Sequence, residues 1–235
     1  MKADRLAPLR IRYDGFFFRI ERELEGRGTP AHLLAVTEGL PYLKLLRSRQ
    51  GLKVRAEITV PERIWRVLEA LAMLRARWEG QEVRSPAGEA VAPRQLELLL
   101  RPWAEARGGR YRAQAGGGVL QVPGHYPLEI TGETPGLRLR LAFWPFQVER
   151  PLAWDEWLLA IQPHLRFIKA TPEGLGCDLP GEALAAREWE LALVGIQAAE
   201  ARFRQAAEAL QEPTVAAVYG QLISFPDGNE PIGGR

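Results

Sequence analysis

Residues 181–211 read GEALAAREWELALVGIQAAEARFRQAAEALQ, and in them Ala185, Trp189, Ala192, Ile196, Ala199, Phe203, Ala206 and Leu210 are spaced alternately by four and three. That spacing lines side chains along one face of an α-helix. Trp189, Ile196, Phe203 and Leu210 fall on one position of the seam and the four alanines on the other, so a partner can approach closely along the alanine row. A glycine inside a helix costs about 1 kcal/mol relative to alanine, so Gly195 marks a close contact. The stretch predicts one long helix with a buried seam. Pro213 then starts a short helix carrying Val215, Val218, Tyr219 and Leu222, which closes a helical hairpin. The short helix cannot cover the whole seam, so the sheet, the helix at Pro61 to Gly80, or a second copy docked at the Phe203 to Leu210 end must cover the rest.

Working outward, the chain has 235 residues of which 46% are hydrophobic, enough to bury a core as one large domain or two small ones. Cys177 is the only cysteine, which excludes an internal disulfide and argues against a structural zinc site. The start lacks the apolar core of a signal peptide, and no stretch is long and apolar enough for a membrane span, so a soluble cytoplasmic protein is expected. Residues 1–55 hold 12 Lys+Arg against 6 Asp+Glu, and residues 151–235 hold 6 against 12, so the two ends have opposite sign. Such asymmetry steers a polyanion to one face, or draws copies together head to tail. Only Lys2, Lys44, Lys53 and Lys169 are lysines among 31 basic residues, and Asn229 is the single asparagine, a composition that fits a GC-rich genome and a thermophile.

Along the chain, Leu9, Ile11 and Tyr13 alternate with arginines before Asp14-Gly15, and Phe16, Phe18 and Ile20 resume the alternation, which predicts a hairpin with a tight two-residue turn. His32 to Leu46 is ambiguous between helix and strand, while Val54 to Val60 reads as a strand with Arg55 and Glu57 outward. Thr59 and Glu62, with Pro61 between them, have capping-box spacing, and the helix that follows presents Ile64, Leu68, Leu71, Leu74 and Trp78 before Gly80 ends it. A second helix begins near Pro93 with Leu96, Leu99, Leu100 and Trp103 on one side and a bend expected at Pro102. Beyond Gly108-Gly109 come short strands: Tyr111 to Gln114 and Val119 to Val122 around a flexible tip at Gly116-Gly117-Gly118, then Tyr126 to Thr131, then Leu137 to Val148, interrupted at Pro145. Asp155 to Ile161 reads as a short helix, Leu165 to Ala170 as a strand, and Gly174 to Pro180 as a loop. A strand followed by a tryptophan-bearing helix recurs around Ile58 to Trp65 and around Phe146 to Trp157, as a duplication would produce.

These readings give an α+β fold: an N-terminal α/β part over 1–108, a central mainly antiparallel β part over 109–180, a C-terminal long helix with a helical hairpin over 181–224, and a flexible tail over 225–235. His32, His125 and His164 are far apart and read as structural; Ser48, Ser85 and Ser224 lack a nucleophile-elbow context. Cys177 beside Asp178 reads as a buried structural thiol, because the neighbouring carboxylate raises its pKa. Asp155-Glu156 reads as a pair placed at a helix N-terminus. Asp14, Glu21, Glu23 and Glu25 place carboxylates on neighbouring strands, the donor set of a metal-dependent nuclease, although Arg19, Arg22 and Arg27 interleave with them. Arg101, Trp103, Arg107, Arg110, Tyr111 and Arg112 form the densest constellation: guanidiniums to neutralise phosphates and rings to stack on bases. Arg10, Arg12 and Arg19 would extend it. The functional expectation is a non-enzymatic nucleic-acid-binding protein, DNA-repair or RNA-associated, needing no cofactor. The alternatives are a scaffolding protein forming a homodimer through its alanine-rich C-terminal helix, and a metal-dependent nuclease.

Overall fold

The computed structural model describes residues 8–48, 51–81, 83, 90–133, 136–142 and 154–208. Arg10–Tyr13 (β1) and Phe18–Leu24 (β2) pair antiparallel, with Tyr13 opposite Phe18. The turn between them has four residues, 14–17, not the two the Asp-Gly pair suggested. The Asp14 carboxylate accepts the N–H groups of Phe16 and Phe17 at 3.1 and 2.8 Å and holds the wider loop. The ambiguous stretch after it resolves into a short helix, Pro30–Ala35 (α1), capped by Thr29, and a strand, Leu43–Ser48 (β3). Gly51–Ile58 (β4) lies between β2 and β3, giving a four-stranded antiparallel sheet in the order β1-β2-β4-β3.

A 3-10 turn at Pro61–Arg63 leads into Ile64–Trp78 (α2), whose buried side is Val67, Ala70, Leu71, Met73 and Leu74. Leu68, expected on that side, is exposed. The expected capping box is absent, because the Thr59 hydroxyl donates to Glu188 instead of accepting from the helix. Pro93–Glu105 (α3) buries Leu96, Leu100 and Trp103, and Pro102 is accommodated in its last turn. Helix α3 packs on Arg110–Gln114 (β5) and Gly117–Gln121 (β6) of the second sheet. Of the triple glycine, only Gly116, at φ 79°, lies in the hairpin turn, with Ala115. Gly117 and Gly118 sit inside β6, and a Cβ on Gly118 would lie 2.4 Å from the Tyr111 ring.

Leu128–Glu133 (β7) and Gly136–Ala142 (β8) continue the sheet. Trp154–Ile161 (α4) follows, with Asp155 and Glu156 in its first turn. The strand expected from Leu165 is only Lys169–Thr171 (β9), and the expected glycine-rich loop is Gly174–Pro180 (β10), buried along its whole length. A strand covered on both faces shows no alternation, and Gly176 is required because a Cβ there would meet Arg140 and the Leu139 carbonyl. The second sheet runs β5-β6-β7-β8-β10-β9, all antiparallel. The long helix starts later than its seam: Gly181–Ala183 is a 3-10 turn, Arg187 has φ 56°, and Glu188–Glu208 (α5) follows. Its seam residues Trp189, Ala192 and Ile196 are buried against β10 and β8 of its own chain, and Gly195 meets the Ile168 side chain. The second helix of the hairpin, the tail, the segment around Pro145, and the Leu210 end of the seam lie outside the described residues.

The chain contains one unit twice. The strands β7-β8-β10-β9 repeat the order β1-β2-β4-β3; α4 precedes β9 as α1 precedes β3; and after a 3-10 turn α5 follows β10 as α2 follows β4. The register repeats as well. Arg19 stands opposite Glu57 and Arg138 opposite Asp178; Ile11, Ile20 and Ala56 form a row matched by Ile130, Leu139 and Cys177. Tyr42 and Phe167, each two residues before a lysine, share a positive φ of 63° and 60°. This is not the strand-and-tryptophan repeat read from the sequence, whose second member lies largely outside the described residues. Helix α3 with β5 and β6 is inserted between the two units.

Candidate functional site

The most constrained chemistry lies where the two units meet. Lys44 on β3 is fully buried; its ammonium contacts Glu57 Oε2 at 2.8 Å and donates to the carbonyls of Leu165 and Ile168, the latter at 3.3 Å. Lys169 on β9 holds the matching position: 2.5 Å from Asp178 Oδ2, and donating to the carbonyls of Thr37 and Leu40 at 2.6 and 3.2 Å. Each ammonium thus pairs with the carboxylate of its own unit and hydrogen-bonds the loop of the other. Glu57 was expected to face solvent. The Leu165 to Ile168 loop covers that face of the sheet, and the Phe167 N–H donates to Glu57 at 2.6 Å.

The electrostatics follow from this burial. Desolvation pushes Glu57 upward, but Lys44, its hydrogen bond and the Phe167 N–H hold it below the usual carboxylate range. Asp178 is held lower than its ordinary value against the same desolvation by Lys169, Arg140 and Arg138. Burial lowers both lysines, and their carboxylates oppose it. Each ammonium has three acceptors, the full complement for its three protons, so neither is presented as a nucleophile. Cys177, which lines one small cavity with Lys44, Glu57, Lys169 and Asp178, is pushed up to about 12 by burial and then by Asp178, and its thiol donates to the Phe167 carbonyl. Glu188 completes the joint, accepting from Tyr42 Oη at 2.6 Å and from Thr59, with Arg63 Nε at 3.5 Å. This constellation ties the molecule together; its groups are consumed by one another.

The arginine and aromatic constellation divides into two layers. Trp103 and Tyr111 are in the core, Trp103 edge-to-face with Trp189 at 6.4 Å, so neither ring can stack on a base. The guanidiniums stay outside. Arg101 pairs with Glu97 one helical turn away. Arg107 lies 3.9 Å above the Trp103 ring, Arg110 donates to Gln121, and Arg112 follows on the same outward side of β5. Arg107, Arg110 and Arg112 have no carboxylate partner among the described residues, and β5 is the edge of its sheet.

The acidic strand is neutralised from within the chain. Glu21 contacts Arg55 at 2.7 Å and Lys53 at 3.6 Å, Glu23 contacts Lys53 at 3.3 Å, and Asp14 is shared by Arg19 and Arg166. Among the described residues no group of three or more His, Cys, Asp or Glu is placed to hold a metal ion. His32 packs against Trp78, and His125 Nδ1 lies 2.8 Å from Glu200, which is buried on α5. Also among the described residues, no helix is long and apolar enough to cross a membrane. Comparison with protein-family models, with curated proteins and with solved structures finds no match. The sequence reading passed over the lysine joints, yet a signal existed: Leu40-Pro41-Tyr42-Leu43-Lys44 and Leu165-Arg166-Phe167-Ile168-Lys169 share one pattern and hold two of only four lysines.

Proposed function

We propose that the chain is a non-enzymatic nucleic-acid-binding protein that grips the phosphate backbone along β5. The supporting observation is that Arg107, Arg110 and Arg112 are exposed on one sheet edge and the turn before it, without a carboxylate partner among the described residues. Such guanidiniums exchange condensed counterions for phosphates, which gives affinity without sequence readout. With both rings of the constellation in the core, binding rests on charge and not on stacking. A cytoplasmic location belongs with this reading. The homodimer reading keeps only the Phe203 to Leu210 end of the seam, because the Trp189 end is covered internally; those side chains lie outside the described residues.

The test is fluorescence anisotropy with labelled single-stranded DNA, duplex DNA and RNA across a salt series. Replacing Arg107, Arg110 and Arg112 together with alanine should flatten the slope of log affinity against log salt by about 2 to 3. A full slope in that variant would move the site elsewhere, and no binding by the parent at low salt would end the reading.

A further inference from the structure

The duplication shows what one unit has and the other lacks. Ile11 on β1 and Ile130 on β7 occupy equivalent positions in the two sheets, yet Ile130 is 0% exposed and Ile11 is 49% exposed. The difference is the insertion: β6 pairs with β7 along its free side, and α3 covers the apolar side of β5, β6 and β7. Nothing described in the chain does this for β1, which is the sheet edge and exposed at every residue. Its apolar side carries Ile11 and Tyr13, with exposed Phe16 beside them in the turn. Its other side carries Arg10 and Arg12. Arg12 stands directly opposite Arg19, a like-charge pair, and neither Arg10 nor Arg12 has an ion-pair partner among the described residues.

We infer that β1 is an open edge that accepts an extended segment of another protein as an added antiparallel strand, with acidic residues against Arg10 and Arg12 and apolar residues against Ile11 and Tyr13. Main-chain hydrogen bonds supply affinity in this mode and the alternate side chains supply specificity. The structure displays the occupied form: β6 on β7, with apolar neighbours buried on one face. A second copy of the chain is a poor occupant. Pairing β1 with its own copy antiparallel either sets four guanidiniums together or turns Ile11 and Tyr13 of one copy onto the charged face. The inference is independent of the nucleic-acid reading, which concerns the edge strand of the other sheet.

The test uses the full chain and a fluorescein-labelled eight-residue peptide of alternating glutamate and valine, followed by anisotropy. The parent should bind this peptide, and should bind neither its lysine-for-glutamate counterpart nor a copy N-methylated at alternate residues, which cannot pair as a strand. Arg10→Glu with Arg12→Glu should weaken the glutamate peptide about tenfold or more and admit the lysine peptide. The idea is overturned by no binding at millimolar peptide, by equal binding of the N-methylated copy, or by indifference to the charge reversal. It is also overturned if the parent is a dimer that Ile11→Arg converts to monomer, which assigns the edge to a second copy. A labelled oligonucleotide lost on Arg10→Glu/Arg12→Glu while the peptide never binds would assign it to nucleic acid.

Discussion

Lys44→Met removes one ammonium from the joint between the units and keeps most of the length of the side chain. Glu57 is then buried with Arg19, at 3.5 Å, as its nearest remaining ion-pair partner, and the carbonyls of Leu165 and Ile168 each lose a donor. Breaking one partner of a buried ion pair costs about 3–5 kcal/mol, and each orphaned carbonyl adds about 1 kcal/mol or more. Arg19 and the Phe167 N–H offset part of this, so a net loss of about 4 kcal/mol is expected, against a total stability for such domains of about 5–15 kcal/mol. Urea unfolding followed by far-UV circular dichroism reads this loss as a midpoint shift of about 1.3–2 M for a slope of about 2–3 kcal/mol/M. Adding Glu57→Gln to Lys44→Met removes the unpaired charge, keeps an acceptor for the Phe167 N–H, and should recover about 2 kcal/mol. Lys169→Met should cost less, because Asp178 retains Arg138 and Arg140 at 3.2 and 2.9 Å. A Lys44→Met variant within 1 kcal/mol of the parent, or a double variant no more stable than the single, would refute the account of the joint.

The buried carboxylates and the β5–β6 packing each set a further outcome. Glu57 and Asp178 titrate below their ordinary 4.5 and 3.8, so their contribution is present above those values and is lost as pH falls below about 4 toward the folded-state values. Unfolding free energy measured between pH 6 and 2 should therefore fall steeply at the acid end, and Asp178→Asn should flatten that limb; a parallel curve for the variant contradicts the assignment. Gly118→Ala forces a Cβ to within 2.4 Å of the Tyr111 ring and 2.5 Å of the Arg112 carbonyl, and should cost about 2–4 kcal/mol by overpacking. Should the variant melt with the parent, Tyr111 does not pack across β6 as described.

What the sequence determined by itself was the class and most of the elements. Alternation in Arg10 to Ile20 and Leu137 to Leu141, the apolar side of α3, and the Trp189, Ala192 and Ile196 seam are local periodicities, and local periodicity is set by which residues can share a buried face. Where burial comes from both sides the pattern vanishes, so Gly174 to Pro180, which is β10, read as a loop. Outward placement of Glu57 failed for a related reason: the sequence spacing locates the face, but only the arrival of the Leu165 to Ile168 loop decides that this face is dry. Trp103 and Tyr111 were legible as candidates because rings beside arginines suit both a core and a nucleic-acid surface, and chain composition cannot separate the two. The tertiary structure alone decided which rings are inside, which arginines have no carboxylate partner among the described residues, and that two units exchange lysines. Lys44 and Lys169 are separated from the carbonyls they bind by more than a hundred residues, and only the docking of one sheet's loop on the other sheet brings those groups within hydrogen-bond reach.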